Sequence, residues 1–163
     1  LDLTGAELRA VLEHGIDLIP DVGGRFPQVA GVTFSYDSTR PSGGKIVELA
    51  VGGTPVVAGG ETVAPDAVFR TVTLNFLAGG GDGYPFPCDD AAEPGVCANQ
   101  TALAQPEDAP RTGRFTFAED GSEQDALAEY LAANFPVDED PATPAFSEAD
   151  TPAGQDARIV RLD

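Results

Sequence analysis

The stretch LNFLAGGGDGYPF, residues 74–86, combines residue types that can bind a flat polar ligand. Phe76 supplies a ring and Asp82 a carboxylate that can accept hydrogen bonds from ribose hydroxyls. The glycines around that carboxylate are Gly80, Gly81 and Gly83. Glycine this dense permits positive φ and lets another group approach the main chain closely. The pattern indicates a hairpin loop or a loop that lies against a ligand.

A second ring, Phe26, follows Gly-Gly-Arg in a stretch typical of a turn. Two rings on neighbouring loops can sandwich a heterocycle, and offset stacking contributes about 0.5–1.5 kcal/mol per ring beyond area burial. Because aromatic side chains are so often buried, a second interpretation stays open on the residues alone. In it, Phe26 and Phe76 belong to the core and Asp82 only forms a turn.

Residues suited to catalysis are scarce. His14 is the one histidine of the chain, and near the end of a predicted helix it is more typical of a solvated residue favoured by the helix dipole than of a base. A two-metal hydrolase needs several converging histidines and carboxylates, and no serine lies in a G-x-S-x-G turn. We therefore expect no catalytic residue and no metal or other cofactor site within this chain.

The negative net charge of the chain excludes some classes of binding partner. Net charge is −18, with 27 acidic residues and 9 Lys+Arg, so nucleic acid and anionic lipid are repelled. No apolar run approaches the length of a membrane span, so we expect no membrane partner. Asp89, Asp90 and Glu93 follow the glycine loop, and carboxylates are typical Ca²⁺ ligands. The alternative function is therefore a non-catalytic extracellular binding module stabilised by calcium.

The two cysteines, Cys88 and Cys97, bracket a short segment of a long predicted surface loop over residues 85–114. A close pair without other thiols predicts a local disulfide and an oxidising compartment. Two free thiols are the alternative.

Two helices are predicted around these loops. Thr4 with Glu7 three residues later has the spacing of a capping box, which predicts a helix over LTGAELRAVLEHGI. Ser122 is a suitable N-cap for a second helix that reaches Phe135. The apolar stripe of this second helix is predicted to be Leu127, Tyr130 and Leu131.

Alternating apolar residues predict strands over 32–36 and 45–51. The residues expected on their inner faces are Val32, Phe34 and Tyr36 in the first and Val47, Leu49 and Val51 in the second. Further strands are predicted over 68–76, leading into the glycine loop, over 114–121, and over 157–163. The sum is an α+β fold of mainly antiparallel strands with two helices.

Three blocks, in this order and at these spacings, carry a family resemblance. They are LTGAELRAVLEHG, GRFPQVAGVTFSYD followed by STRP, and NFLAGGGDGYPF. Together they resemble the C-terminal domain of the 5'-nucleotidases, secreted or periplasmic enzymes that include UDP-sugar hydrolases. The resemblance runs from about Leu3 to Tyr84 and more loosely through residues 122–135. We expect a domain at 1–135 and an acidic Pro/Ala-rich linker with a closing strand at 136–163.

The resemblance implies roles for the residues above. In this family an N-terminal metallophosphatase domain holds two divalent metal ions and hydrolyses the phosphate ester, while the C-terminal domain binds the nucleoside. By that resemblance Phe26 and Phe76 stack the base and Asp82 binds the ribose. The residues that shape the same wall are Asn75, Gly80, Gly81 and Gly83.

The resemblance also implies an incomplete pocket, because the family's domain begins earlier with an NGGGIR-like strand. Unpaired strand edges favour self-association. We expect a nucleoside-recognition domain of a secreted or periplasmic 5'-nucleotidase, partnered by the metallophosphatase domain of the same parent protein. The parent would be the enzyme, because this chain alone lacks the two-metal catalytic site. A parent acting on nucleotide sugars or cyclic nucleotides stays open.

Overall fold

The computed structural model describes residues 1–21, 23–89, 97–101, 122–135 and 153–163. The chain forms two compact units, one made of residues 1–101 with 157–163 and the other of residues 102–156. The predicted strand over 114–121 and most of the predicted linker after residue 135 lie outside the described residues.

The first helix begins as its capping box predicts. β1 (Asp2–Thr4) leads directly into α1 (Gly5–Ile16). The hydroxyl of Thr4 accepts a hydrogen bond from the Glu7 backbone N–H at 3.2 Å, and the Glu7 carboxylate accepts one from the Thr4 backbone N–H at 2.8 Å. Both bonds satisfy groups that the first turn leaves without helical partners. The core-facing residues of α1 are Leu8, Val11, Leu12 and Ile16.

The main sheet has five strands in the order β5-β4-β3-β2-β7. They are β2 (Val32–Tyr36), β3 (Ile46–Val51), β4 (Thr54–Ala58), β5 (Glu61–Thr62) and β7 (Ile159–Arg161). All neighbours are antiparallel except β2 and β7, which are parallel. β6 (Val68–Arg70) pairs antiparallel with β1 in a separate two-stranded sheet. The predicted α+β fold of mainly antiparallel strands is confirmed.

The inner face of β3 differs from its prediction. Leu49 is buried as expected, but the fully buried residue at the start of the strand is Ile46, and Val47 is only half-buried. The pairing of β2 with β3 shifts between Ser35 and Tyr36. An irregularity of this kind places an extra residue on one strand and changes which side chains face inward.

The predicted strand over 68–76 is wrong in its second half. β6 ends at Arg70, and Phe76 lies in a single helical turn, α2 (Asn75–Ala78). The Ala78 N–H bonds the Leu74 carbonyl and the Gly79 N–H bonds the Asn75 carbonyl, each at 2.9 Å. The β-branched residues before α2 favoured an extended strand, but these local bonds turn the chain instead.

Two charged residues are buried between α1 and β3. The Glu13 carboxylate accepts the backbone N–H groups of Lys45 and Ile46 at 3.0 and 2.8 Å. The Lys45 ammonium donates to the carbonyls of Asp17 and Ile19 at 2.8 and 2.5 Å, just after α1. These bonds satisfy the buried charges and fix the start of the segment that leads to Phe26.

β7 is held at its end by Asp163. The Asp163 carboxylate accepts bonds from the Arg161 guanidinium at 2.9 Å and from the Ser38 hydroxyl and backbone N–H, each at 2.7 Å. These bonds, that from Arg161 first, hold the pKa of Asp163 well below its ordinary value. The closing strand therefore contacts both β2 and the turn that follows it.

In the unit of residues 102–156, the predicted helix is confirmed as α3 (Glu123–Asn134), with Ser122 accepting the Asp125 backbone N–H at 3.2 Å. Leu127 and Tyr130 are each more than half exposed. Two residues of the predicted apolar stripe are therefore exposed, whereas the third, Leu131, is half-buried. None of the helices in the described ranges is long and apolar enough to cross a bilayer.

Candidate functional site

The glycine loop is a tight turn that places Asp82 in an unusual backbone conformation. Gly80 has φ 87° and leads into a 3₁₀ turn, Gly81–Gly83, in which Asp82 has φ 53° and ψ 18°. Asp82 is the one non-glycine residue with positive φ in the described part of the chain. This left-handed conformation costs on the order of 1 kcal/mol. Its contacts must supply that energy.

Phe76 lies against this turn and is largely exposed. A Cβ atom placed on Gly81 would lie 2.5 Å from both the Phe76 ring and the Phe76 carbonyl oxygen. Glycine is therefore required at position 81 for the ring to take this position. The Phe76 side chain is nevertheless 58% exposed, so the ring presents free apolar surface beside Asp82.

Asn75 shapes the start of the same turn. Its side-chain oxygen accepts the backbone N–H of Phe76 at 2.8 Å, and the residue is exposed. The predicted wall residues Asn75, Gly80, Gly81 and Gly83 thus all lie in one compact loop with Phe76 and Asp82.

Phe26 lies on a second loop and is half-buried, since it packs against the hydrophobic core. It also lines a cavity of about 170 Å³. The other lining residues are Gly15, Leu18, Ile19, Asp21 and Gly23. The two predicted rings therefore differ: Phe76 is mainly free, whereas Phe26 has one part in the core and one part at a cavity.

Tyr84 joins the two loops. Its buried hydroxyl donates a hydrogen bond to the Arg25 carbonyl at 2.5 Å, directly before Phe26 in the chain. Its ring stacks on Phe86 with centroids 5.8 Å apart. Burial raises the pKa of Tyr84, Asp82 adds to the rise and Arg25 opposes it. The phenol thus stays protonated and available as a donor.

His14 reaches the same junction from α1, which the sequence did not predict. Its Nε2 atom lies 2.9 Å from the Asp82 carbonyl oxygen and 3.3 Å from Arg25 Nη1, and its ring meets Tyr84 edge to face at 5.0 Å. His14 and Asp82 are 68 residues apart. No local pattern in the sequence marks a contact across that separation.

The Arg25 side chain also contacts a carboxylate outside the two loops. Its guanidinium forms an ion pair with Asp17 at 3.5 Å. Its Nε atom is buried and has no hydrogen-bond partner among the described residues.

The predicted disulfide between Cys88 and Cys97 is confirmed. The segment after it returns to the glycine loop, because the Gln100 side-chain amide donates to the Ala78 carbonyl at 3.0 Å. The Asn99 amide also donates to the Pro87 carbonyl at 3.1 Å. The disulfide segment therefore contacts the end of α2, the turn that carries Phe76.

A metal site is not formed by the described residues, where no three His, Cys, Asp or Glu side chains are grouped to hold an ion. Of the acidic residues that suggested calcium, Asp89 is described, while Asp90 and Glu93 lie outside the described residues.

Comparison with known proteins gives a consistent set of similarities. A family model described as "5'-nucleotidase, C-terminal domain" matches residues 1–88. The trifunctional nucleotide phosphoesterase protein YfkN of Bacillus subtilis is 35% identical over 85 residues, which cover 51% of this chain and 6% of YfkN. The human 5'-nucleotidase is 33% identical over 91 residues, covering 55% of this chain and 16% of that protein.

Protein UshA of Escherichia coli is 38% identical over 84 residues, covering 52% of this chain and 13% of UshA. A 5'-nucleotidase precursor of known structure from Thermus thermophilus is 35% identical, with a TM-score of 0.44 over 51% of this chain and 16% of that protein. The chain thus matches only a small part of each relative's length. Since the family model covers more than half of the chain, this chain belongs to the 5'-nucleotidase C-terminal domain family.

Proposed function

We propose that this chain is the nucleoside-recognition domain of a 5'-nucleotidase-type phosphoesterase. The observation that carries the proposal is an exposed aromatic ring, Phe76, seated on Gly81 directly beside the carboxylate-bearing residue Asp82. A nucleoside presents the matching pair of groups, a flat base and a ribose with two adjacent hydroxyls.

The chemistry of each group fits that ligand. The free surface of Phe76 can stack on any base, because every base has a π face. An ionised carboxylate only accepts hydrogen bonds, and its two oxygens can take one from each ribose hydroxyl. α2 carries Phe76 and the turn Gly81–Gly83 carries Asp82, so one short segment holds both groups and little order has to be gained on binding.

Phe26 supplies the opposite wall of the proposed site. Its loop is tied to the glycine loop by the bond from Tyr84 to the Arg25 carbonyl. The cavity that its ring lines is formed by residues between Gly15 and Phe26 and includes no residue of the glycine loop, so the support for this wall is the bond between the two loops. Its half-buried position would hold one stacking surface in place while the more exposed Phe76 ring offers the other.

Hydrolysis is assigned in this proposal to a separate N-terminal metallophosphatase domain of the parent, which would hold two divalent metal ions. The residues of this chain would bind and orient the nucleoside so that its phosphate projects away from them. Orientation of this kind lowers a reaction barrier because it removes translational and rotational freedom beforehand. Support for this assignment comes from two of the relatives, which are a 5'-nucleotidase and a nucleotide phosphoesterase.

A secreted or periplasmic location belongs to the same proposal. Its support is the disulfide between Cys88 and Cys97, since disulfides persist mainly in oxidising compartments.

A calorimetric titration with adenosine tests the proposal. We expect saturable binding to the unaltered chain and about 10- to 100-fold weaker binding to Asp82→Asn, because hydrogen bonds to a charged group contribute about 1.5–3 kcal/mol. Asparagine also tolerates the left-handed conformation, so the loop is preserved. Inorganic phosphate alone should give no saturable heat.

The absence of saturable heat with adenosine in the unaltered chain would contradict the proposal. A rise in melting temperature with Ca²⁺, and none with adenosine, would favour the calcium-stabilised binding module instead.

A further inference from the structure

His14 meets both loops of the proposed site at one ring nitrogen. Nε2 lies 2.9 Å from the Asp82 carbonyl oxygen in the glycine loop and 3.3 Å from Arg25 Nη1 in the Phe26 loop. The half-buried ring also meets the Tyr84 ring at an edge-to-face angle and lies near Gly83, where an added Cβ would lie 3.4 Å from the histidine Cε1 atom.

The partners of Nε2 determine where the imidazole carries its hydrogen. A carbonyl oxygen can only accept, so the 2.9 Å contact with Asp82 requires a hydrogen on Nε2. A guanidinium can only donate, so the longer contact with Arg25 would require the same nitrogen to be bare. The shorter contact has the better distance, and Arg25 retains Asp17 as its partner. The geometry therefore favours the Nε2–H form of His14, donating to Asp82.

This bond acts on the conformation of Asp82. A residue at φ 53° persists only when its surroundings hold it there. The backbone dihedrals of a residue set the direction of its Cβ atom, so a donor that holds the Asp82 carbonyl also holds the Cβ atom from which the carboxylate projects. The Gly83 and Tyr84 backbone bonds at 3.1 Å close the turn, but neither of them contacts the Asp82 carbonyl.

We propose that His14 is the positioning residue of the site: its Nε2–H holds the Asp82 peptide in the left-handed conformation that aims the carboxylate at the ribose. This inference rests on the proposed nucleoside site. His14 touches no ligand atom in it and acts only through Asp82. The rigid end of α1 thereby sets the geometry of the glycine loop.

Two substitutions separate the donated hydrogen bond from the volume of the ring. His14→Gln keeps an amide N–H that can reach the Asp82 carbonyl, whereas His14→Leu has a similar size and no donor. In adenosine titrations of the whole chain we expect His14→Leu to bind about 10-fold more weakly, since it removes the hydrogen bond that holds the Asp82 peptide in place. The dissociation constant of His14→Gln should stay within about threefold of that of the unaltered chain. A role that only fills space would not show this rescue by a hydrogen-bond donor.

A nitrogen NMR spectrum of the unaltered chain provides a measurement that needs neither variant to fold. The imidazole ¹⁵N shifts distinguish the two neutral forms, and we expect the Nε2–H form. The Nδ1–H form would overturn the inference, because that form cannot donate to Asp82.

The titrations distinguish this inference from the function on which it rests. If the unaltered chain binds no adenosine, the proposed function fails and the positioning role fails with it. If it binds adenosine and both variants bind equally well, or both are weakened equally, the function stands and His14 is not its positioning residue.

Discussion

Replacing Phe76 with alanine should separate binding from stability, because the Phe76 ring is only partly packed. The side chain is 58% exposed, so less than half of its surface leaves water when the chain folds. Full burial of a phenylalanine contributes about 1.5–3 kcal/mol, so the Phe76→Ala change should lower the free energy of unfolding by about 1 kcal/mol.

The same substitution should act much more strongly on adenosine binding. Removal of a ring that stacks on a base costs about 1–3 kcal/mol, which corresponds to a dissociation constant about 5- to 150-fold larger. Gly81 has no side chain and contacts the Phe76 ring only through its backbone. We therefore expect the glycine loop to keep its conformation in Phe76→Ala.

The chain offers a matched control in Phe34, which is 3% exposed and lies in the core. Phe34→Ala should lower the free energy of unfolding by about 3–5 kcal/mol, the usual range for this change in a core. Urea unfolding gives the stability of each variant, and adenosine calorimetry gives the affinity of those that remain folded.

Two results would refute this reasoning. If Phe76→Ala destabilises the chain as much as Phe34→Ala, the ring is a core residue. If adenosine binds Phe76→Ala as tightly as it binds the unaltered chain, the ring does not stack on the base.

Three further outcomes are expected. Reduction of the bond between Cys88 and Cys97 should lower the free energy of unfolding by about 2–3 kcal/mol, because the closed loop is short, and urea unfolding should still show a folded domain; two free thiols by mass spectrometry before reduction would contradict the bond. Hydrogen bonds, that from Arg161 first, lower the pKa of Asp163, so the contribution of this carboxylate to the free energy of unfolding should be complete above its ordinary pKa of 3.8 and decrease as the pH falls below that value. Asp163→Asn should lose this acid dependence when the free energy of unfolding is measured against pH. In the described part of the chain β1 and β6 pair only with each other, so their outer edges should promote association, and a constant monomer mass in light scattering at all concentrations would contradict this.

The elements that the sequence predicted best are those specified by neighbouring residues. Thr4 and Glu7 lie three positions apart, and the bonds that begin α1 form between these two residues. The Ser122 cap of α3 is local in the same way. The existence of both helices could be predicted because all the information lies within one turn.

The features that were missed depend on distant parts of the chain. Glu13 and Lys45 look like surface residues in the sequence, but they are buried because each meets backbone groups about 30 residues away. The turn containing Phe76 followed a β-branched run, so local preference favoured a strand. The contact of His14 was missed because its partner, Asp82, lies 68 residues away in the sequence.

The candidate site was predicted as a set of residues and not as an arrangement. The glycine loop places Asn75, Phe76 and Asp82 together because they are neighbours in the sequence. The link to Phe26 depends on the Tyr84 hydroxyl and the Arg25 carbonyl, which are 59 residues apart. The family resemblance supplied Phe26 and Phe76 as the proposed stacking residues, but the bond between their two loops appears only in the structure.

The late position of β7 in the chain has a consequence for proteolysis. β7 has three residues and pairs with β2 only after the chain has passed through residues 102–156. A tethered strand meets its partner at an effective concentration of about millimolar order. One cleavage anywhere in residues 102–156 would turn β7 into part of a separate peptide at the much lower concentration of the protein itself. Only noncovalent contacts would then hold β7, and its loss would leave the side of β2 that pairs with β7 as a new edge open to strands of other molecules.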